Sequence, residues 1–325
     1  MSPKFLKSAG PERPLCLYRG LAPRGVSPCV LTMGAFDGLH VGHAALIGRA
    51  LARARELKLP AGLLSFEPLP REVLQPAEAP ARLTNFRERW RLLEASGLER
   101  FHLLAFNAKL RAMSGARFME VLRSLSVRSL IVGHDFRFGH KGEASAEWCA
   151  GEARKFGFDV EIVAPVTLDG VRVSSGLVRS ALAAGDMARA AQLLGRPYSM
   201  RARVTRGARL GRTLGFPTAN LPVHRRRTPL AGIFAVRIRS DALTDGASGG
   251  WPAVASLGTR PMVDGVEPLL EVHLFDYQGA LYGAELEVEF VARLRDEQRF
   301  ESLEAMVAQM HRDAAAARTA LAPLV

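Results

Sequence analysis

The stretch that decides the fold of the N-terminal half is Val30-Leu-Thr-Met-Gly-Ala-Phe-Asp-Gly-Leu-His-Val-Gly-His43. It joins an apolar run to a glycine-rich turn, and the turn to two histidines at the start of an amphipathic segment. Such a helix start binds anions, because its first N–H groups are partly positive and glycine lets the backbone approach the ligand closely. His40 and His43 share one helix face, so we predict a phosphate site in which both imidazoles are donors. The turn residues assigned to this site are Gly34, Phe36, Asp37, Gly38 and Gly42.

Two other interpretations of the histidine pair are a surface pair on an ordinary turn and half of a metal site. No third metal ligand clusters with the pair in the sequence, and the preceding strand and turn favour the phosphate site. A second piece of this site is predicted downstream, where Ser174 and Ser175 precede an apolar-periodic run. Serines there are typical helix caps. Arg172 and both serines are assigned to phosphate binding, and Arg179, one turn inside the helix, would clamp a triphosphate.

Short apolar runs alternate with helical patterns through the first half of the chain. The predicted strands are Val30–Met33, Gly62–Phe66, Phe101–Ala105, Ser129–Val132 and Asp159–Val163. They are apolar without alternation, as expected for parallel strands that are covered on both faces. A helix is predicted between the first two strands, with an apolar face of Leu46, Ile47, Ala50, Leu51, Ala54 and Leu57. We expect a parallel α/β sheet with ligands at the carboxyl ends of its strands.

After Tyr198 the hydrophobic period changes to two. Apolar and polar residues alternate around Phe234–Ile238 and Leu286–Phe290, which predicts antiparallel strands in a small barrel. The chain closes with a helix, and its predicted apolar stripe is Leu303, Met306, Val307 and Met310. Between the two halves, Ser180–Leu194 is predicted as one Ala-rich helix that ends at Gly195-Arg-Pro197. We place the boundary near Asp186, which gives domains of residues 1–186 and 187–325.

A second glycine-rich motif, Gly211-Arg-Thr-Leu-Gly-Phe-Pro-Thr-Ala-Asn220, lies in the all-β half. Thr218 and Asn220 are two residues apart, so in an extended strand they point the same way. Hydroxyl and amide oxygens are hard ligands suited to a Mg²⁺ that carries nucleotide phosphates. Gly207, Gly211 and Gly215 would form a flexible flap over those phosphates. By local pattern alone, a turn leading into an edge strand is an equally good interpretation.

The composition is that of an ordinary globular protein, with 48% hydrophobic and 23% charged residues among 325, enough for two domain cores. The net charge of +12 favours anionic partners. Four tyrosines and three tryptophans are few for a base-stacking surface, so we expect small phosphorylated molecules and no nucleic acid. Three cysteines without paired spacing, no signal-like N-terminus and no spanning apolar run predict a cytoplasmic protein without a membrane partner. The oligomeric state is left open.

The first half resembles the nucleotidyltransferase superfamily, and residues 28 to 315 resemble the bacterial bifunctional riboflavin kinase/FAD synthetases. Further matching stretches are Ser65–Glu72, Val132–Gly139, Pro217–Asn220, Leu281–Gly283 and Arg293–Phe300. The resemblance implies a Rossmann-like nucleotidyltransferase domain followed by a small antiparallel β-barrel riboflavin kinase domain with a C-terminal helix. It implies two reactions that use ATP and Mg²⁺. Riboflavin is phosphorylated to FMN, and FMN then receives AMP from ATP with release of pyrophosphate.

The resemblance also implies roles for single residues. Glu271 is the expected base for the neutral 5′-hydroxyl of riboflavin, and His273 on the same strand face is a weaker candidate. The alternative without a catalytic role is that Glu271 is an ordinary outward-facing residue. The phosphate of FMN has a second pKa near ~6, so its attack on ATP needs no base. His40, His43 and Arg179 would instead position the two anions and neutralise their charge. The implied flavin contacts are Asp135, Phe136 and Arg295.

Five positions depart from the family pattern: Ala35, Leu69, Gly176, Ser256 and Met262. Leu69 replaces a histidine, and Gly176 stands where threonine is usual. Losing such donors near ATP would slow adenylyl transfer about ten- to a hundredfold. The alternatives are therefore a riboflavin kinase with a decayed first domain, a nucleotidyltransferase for another phosphorylated substrate, and an RNA- or flavin-binding regulator. We expect both enzyme activities.

Overall fold

The computed structural model of the protein describes residues 14–20, 27–206, 214–243, 249–262 and 265–322, except the side chains of 259–262 and 265–267. Gly207 and Gly211 of the predicted phosphate flap, and the side chain of Met262, therefore lie outside the described part. The chain forms two compact units. The first comprises residues up to 80 together with 89–174, and the second comprises 81–88 together with the residues from 175 onward.

The elements up to residue 174 alternate between strands and helices. The strands are β1 (Cys16–Arg19), β2 (Cys29–Met33), β3 (Ala61–Glu67), β4 (Arg100–Ala105), β5 (Val127–Gly133), β6 (Arg137–Phe138), β7 (Ala144–Ser145), β8 (Asp159–Val163), β9 (Thr167–Leu168) and β10 (Val171–Arg172). The helices are α1 (Val41–Leu57), α2 (Pro70–Leu74), α3 (Phe86–Glu94), α4 (Ala108–Arg111), α5 (Gly115–Ser124) and α6 (Ala146–Glu152). Single 3₁₀ turns lie at His140–Gly142 and Ala153–Phe156.

Six of these strands form one parallel sheet in the order β1-β4-β3-β2-β5-β8. Strand β2 is buried along its whole length because it lies between β3 and β5 and is covered on both faces. One face packs against Phe118, Met119 and Leu122 of α5. Helix α1 packs on the sheet and buries Ile47, Ala50 and Ala54. The turn that carries the histidines follows the carboxyl end of β2.

The predicted parallel sheet is confirmed, and the five predicted strands correspond to β2, β3, β4, β5 and β8. Strand β1 was missed, because its four residues at the sheet edge are exposed or half-buried and have no apolar run. The helix predicted after β2 is confirmed as α1. Leu57 was wrongly placed on its buried face, since it is the last residue of α1 and is 37% exposed.

In its described residues, the second unit is an antiparallel barrel with three helices. Its elements are α7 (Ser175–Ala183), α8 (Met187–Leu194), β11 (Ser199–Arg203), β12 (Ala219–Pro222), β13 (Gly232–Arg239), β14 (Trp251–Met262), β15 (Gly265–Leu274), β16 (Glu285–Arg295) and α9 (Leu303–Leu321). The sheet order is β11-β16-β13-β14-β15-β12. The N–H of Thr205, just after β11, donates to the carbonyl of Asn220 on β12 at 2.9 Å, which brings the two edges together. The predicted small barrel with a C-terminal helix is confirmed.

Two details of the helices in this unit were predicted wrongly. Ser180–Leu194 is not one helix. The chain turns at Gly185, which has a positive φ of 78°, and the Asp186 side chain then caps α8 by accepting from the N–H of Arg189 at 2.8 Å. In α9, the predicted stripe is only partly buried, and Leu303 is 55% exposed. The residues of α9 that are buried are Asp313, Ala317 and Leu321.

Candidate active sites

The two histidines of the first unit stack at the start of α1. Their ring centroids are 3.7 Å apart, and the ring of Phe36 lies 4.7 Å from that of His43. His40 is the N-cap residue, and its Nδ1 accepts from the backbone N–H of His43 at 3.3 Å. In the neutral ring the proton of His40 therefore lies on Nε2. We expected the N–H groups of this helix start to be available to a ligand, but that of His43 is already bonded.

His43 is neutral at neutral pH. Burial and, secondarily, the neighbouring His40 lower its pKa well below the ordinary value. Its Nδ1 is buried and has no hydrogen-bond partner among the described residues. A phosphate placed here would favour protonation of the pair, because a nearby negative charge stabilises imidazolium. Binding of an anion at this site would therefore raise the protonated fraction of the histidine pair.

Gly42 is required by close packing beside the pair. A Cβ on this residue would lie 3.1 Å from the His40 ring and 3.7 Å from the carbonyl oxygen of Val173. Because Gly42 lies close to the Val173 carbonyl, the segment that holds Arg172 and Ser174 lies beside the histidines. Ser175 and Arg179 belong to the second unit, on α7, where Arg179 Nε donates to the carbonyl of Ala81 at 2.6 Å.

The remaining turn residues form a compact, strained loop. Phe36 and Asp37 are buried, at 0% and 3% exposure. Gly38 has a φ of 83°, which glycine adopts without strain, whereas Phe36 holds a φ of 49°. Gly34 follows β2 directly, and its N–H donates to Leu64 of β3.

Arg89 was missed by the sequence analysis, although it supports this loop. Its guanidinium is 3% exposed, pairs with Glu67 at 2.9 Å and donates to the carbonyl of Ala35 at 3.2 Å. Arg89 is one of three arginines in α3, and no local signal shows that this one faces inward. Leu69, which stands where the family has histidine, is the buried N-cap of α2, and its N–H donates to Glu72 at 2.9 Å.

Partly buried aromatic side chains lie near the carboxyl ends of β3, β4 and β5. Phe66 is the penultimate residue of β3, Phe106 follows β4 and Phe136 follows β5, and all three pack against the core of the unit. Phe66 and Phe106 contact edge to face at 5.7 Å between centroids. Only Phe136 was assigned from sequence, although the common position at strand ends was a usable signal for the other two.

Asp135, also assigned to the flavin, is paired with Arg172 at 2.5 Å. Partial burial raises the pKa of Asp135, but the hydrogen bond and charge of Arg172 outweigh this and hold the pKa below its ordinary value. The pair joins the loop after β5 to the hairpin that leads to Ser174.

The candidate site of the second unit lies on the outer face of the barrel. Glu271 on β15 is directly opposite Asn220 on β12 and opposite Ser256 on β14. Side chains in directly opposite positions have Cβ atoms about 4.5–5.5 Å apart, so these three groups form one polar row. The adjacent residues Leu221 and Leu270 fill the barrel interior at 0% and 1% exposure.

Asn220 is 7% exposed, and its Oδ1 is buried without a hydrogen-bond partner among the described groups. A buried carbonyl oxygen in that state is costly unless a ligand satisfies it, and a hard cation does so. Thr218 is half-buried and lines a cleft of about 240 Å³ with Pro217, Tyr277 and Tyr282. Gly215 is exposed, with a φ of 78°.

His273 is engaged in holding the Pro-Thr-Ala-Asn segment. Its Nδ1 lies 2.9 Å from the carbonyl of Pro217, and because a carbonyl only accepts, Nδ1 carries the proton. The Phe216 ring lies between His273 and His311, at centroid distances of 5.1 and 4.8 Å. This arrangement makes His273 a positioning group for the segment.

Arg295, the third expected flavin contact, forms a clamp inside the unit. Its Nε and Nη2 donate to the Asp313 carboxylate at 2.8 and 2.6 Å, and its guanidinium lies 5.8 Å from the centre of the Phe300 ring. The clamp ties the end of β16 to α9 and orders the loop between them.

Within the described segments, none of the helices combines the length and apolar character that crossing a membrane requires.

Comparison with known proteins places both units. Residues 23–177 match the family model for FAD synthetase, and residues 194–321 match that for riboflavin kinase. The bifunctional riboflavin kinase/FMN adenylyltransferase of Pseudomonas fluorescens is 45% identical over 298 residues, 91% of this chain and 94% of that protein. The protein of the same name from Escherichia coli K12 is 40% identical and covers 93% of this chain and 96% of its own length.

A solved structure supports the arrangement of elements. A crystal structure described as a macrolide-efflux protein from Streptococcus pneumoniae superposes with a TM-score of 0.77 at 30% identity. The match covers 93% of this chain and 98% of that one.

Proposed function

The chain belongs to the family of bifunctional riboflavin kinase/FMN adenylyltransferases, as its motifs predicted, and we propose that its two units carry the two reactions at the sites described above. Riboflavin and ATP give FMN and ADP, and FMN and a second ATP give FAD and pyrophosphate. We assign adenylyl transfer to residues 1–186 and phosphorylation to residues 187–325. Both reactions use ATP as co-substrate and take place in the cytoplasm, without a nucleic-acid or membrane partner.

The adenylylation site positions FMN and ATP and needs no general base. The FMN phosphate is largely ionised at neutral pH and attacks the α-phosphorus of ATP directly. His40 and His43 donate to the α-phosphate as negative charge builds on it, and the Gly34–Gly42 turn brings the backbone close to the nucleotide. Arg172 and Ser174 complete the phosphate contacts. Asp135 and Phe136 contact the flavin, together with the aromatic rings at the ends of β3 and β4.

In the phosphorylation site, a base activates the alcohol. Glu271 accepts the proton of the riboflavin 5′-hydroxyl as the oxygen attacks the γ-phosphorus of ATP. Asn220 and Thr218 fix the nucleotide phosphates on the same face, and Gly215 belongs to the loop that covers them. His273 keeps Pro217 in place. Arg295 acts at the flavin indirectly, because it orders the loop between β16 and α9 that borders the flavin.

The second unit also fits a magnesium ion. The Oδ1 of Asn220, which no described group satisfies, and the hydroxyl of Thr218 are hard oxygen donors of the kind the ion prefers. These two residues would hold it, and when bound it neutralises and orients nucleotide phosphates.

The row formed by Asn220, Glu271 and Ser256 is the observation that carries the proposal for the second unit, and the stacked histidine pair carries that for the first. Incubation of the pure protein with riboflavin, ATP and Mg²⁺ tests both. We expect FMN to appear first and FAD to follow on a chromatogram. FMN without FAD, even when FMN is supplied, would leave a kinase whose first unit has lost its activity.

A further inference from the structure

Glu297 lies in the loop between β16 and α9, and its carboxyl group lies against the backbone of Gly258 on β14. A Cβ on residue 258 would come within 2.7 Å of Glu297 Cδ and 2.9 Å of its Oε2, closer than Cβ atoms pack in proteins. The carboxylate thus occupies the space that any side chain on residue 258 would need. Glycine at this position allows Glu297 to reach the sheet.

The contact places a second carboxylate on the face of the proposed phosphorylation site. Gly258 and Ser256 are two residues apart on β14, so they face the same side, and Ser256 is paired with Glu271. Two residues of a strand span about 7 Å. Glu297 is therefore displaced along the strand from Glu271 by roughly that distance, on the same surface.

The loop that presents Glu297 is fixed at its start. Arg295 donates three hydrogen bonds to the Asp313 carboxylate and lies over Phe300. Partial burial of the carboxyl group raises the pKa of Glu297, and the charge of Arg295 opposes this. Within the described part of the chain, Glu297 has no hydrogen-bond or ion-pair partner, so its acceptor oxygens are available to a ligand.

We infer that Glu297 is a specificity-determining residue for the flavin, whose carboxylate accepts hydrogen bonds from ribityl hydroxyls while Glu271 faces the terminal one. The inference rests on the proposed role of Glu271. The ribityl chain carries a hydroxyl on each carbon after the first, so an acceptor displaced along β14 meets hydroxyls nearer the ring. An ionised carboxylate only accepts hydrogen bonds and therefore selects a polyol over an alkyl chain.

The test compares riboflavin with a flavin whose N10 substituent is 5-hydroxypentyl, which keeps only the terminal hydroxyl. KM and kcat for phosphorylation are measured with wild type and Glu297→Gln. Glu301→Gln, an exposed carboxylate farther along the same loop, is the matched control. Glu297→Gln should raise KM for riboflavin about tenfold, since a hydrogen bond to a charged group is replaced by one to a neutral amide. KM for the hydroxypentyl flavin, and kcat with both substrates, should not change.

Gly258→Ala provides a second, independent variant, because its methyl group displaces the carboxylate without removing it. It should reproduce the selective loss for riboflavin. An equal rise in KM for both flavins, no change, or a loss of kcat with both would overturn the inference. If wild type does not phosphorylate riboflavin, the proposed function fails instead. Flavin fluorescence titrations of the same variants then decide the inference, which requires a selective loss of riboflavin affinity.

Discussion

Glu271 on β15 lies directly opposite Asn220 on β12, so a carboxylate and a buried amide oxygen that has no partner among the described residues share one face of the barrel. Replacing Glu271 with glutamine keeps the shape and removes the base. We expect kcat for riboflavin phosphorylation to fall about a hundredfold or more, as general-base catalysis contributes at least that factor. Adenylylation of supplied FMN should be unaffected. Chromatographic rates for both reactions check this, with Glu289→Gln on β16 as the control, and equal loss of both activities would contradict two separate sites.

Asn220 has a further consequence for metal dependence. Asn220→Ala removes a buried Oδ1 that no described group of the protein satisfies, so the folded state should lose little stability. The concentration of Mg²⁺ at half-maximal phosphorylation should rise about tenfold, because one hard oxygen ligand is lost. Thermal melting without ligand and a Mg²⁺ titration of the rate measure the two effects. A large drop in Tm with an unchanged Mg²⁺ dependence would show that Asn220 is structural.

Gly42 is closely packed in the first site. In Gly42→Ala the new methyl group, 3.1 Å from the His40 ring, forces the stacked pair to shift. FAD formation should fall about tenfold or more, because misplaced donors lose transition-state contacts, and riboflavin phosphorylation should be unchanged.

Gly48→Ala, on the same helix with open space around it, is the control. It should stabilise the helix by about 0.5–1 kcal/mol and leave both activities intact. If Gly42→Ala and Gly48→Ala behave alike, the packing argument fails.

His102 gives the first unit a pH-dependent stability. Burial and, secondarily, Arg100 lower the pKa of His102 to about 4, and its ring stacks on Tyr18 at 4.9 Å. His102 binds a proton below about pH 6.5 in the unfolded chain but only below about pH 4 in the folded chain. Unfolding free energy is therefore lost as pH falls between these values. At pH 5 the loss of unfolding free energy amounts to about 2 kcal/mol.

His102→Phe keeps a ring and removes the titration. Urea denaturation at pH 7 and pH 5 should show a loss of unfolding free energy on acidification that is about 2 kcal/mol smaller than in wild type. An identical loss in the two proteins would mean that His102 does not carry the effect.

The Arg295–Asp313 clamp should stabilise the second unit. Asp313→Asn leaves a largely buried guanidinium without its counter-charge, which costs about 3 kcal/mol. Its melting temperature and its kinase activity should both fall. Asp276→Asn breaks the exposed pair with Arg318, where solvent screens the interaction, and should change little. Equal effects of the two substitutions would place the clamp among ordinary surface pairs.

Much of the fold could be predicted because the relevant signal is local. The apolar run before Gly34 and the alternation around Phe234 each depend on which faces of one element are buried, and this appears directly as a period in the sequence. The helix break at Gly185 was missed because an alanine-rich stretch continues on both sides of it. Strand β1 was missed because its edge position needs no apolar period.

The sites were predictable where one motif carries several groups, as with His40 and His43, and not where the groups come from distant segments. Arg89 reaches the first unit's loop through packing that no single stretch encodes. Arg295 was assigned to the flavin from its motif alone, and only the fold reveals that Asp313 already binds it.

By itself, the sequence determined the element types, their order and the two motif-bearing halves, because backbone propensity and burial period are properties of neighbouring residues. The tertiary structure alone decided that Asn220 faces Glu271, that the Asn220 oxygen is buried away from every described partner, and that Glu297 lies on Gly258. Register between strands and the burial of a polar atom depend on residues far apart in the chain, and they are set only when the barrel closes.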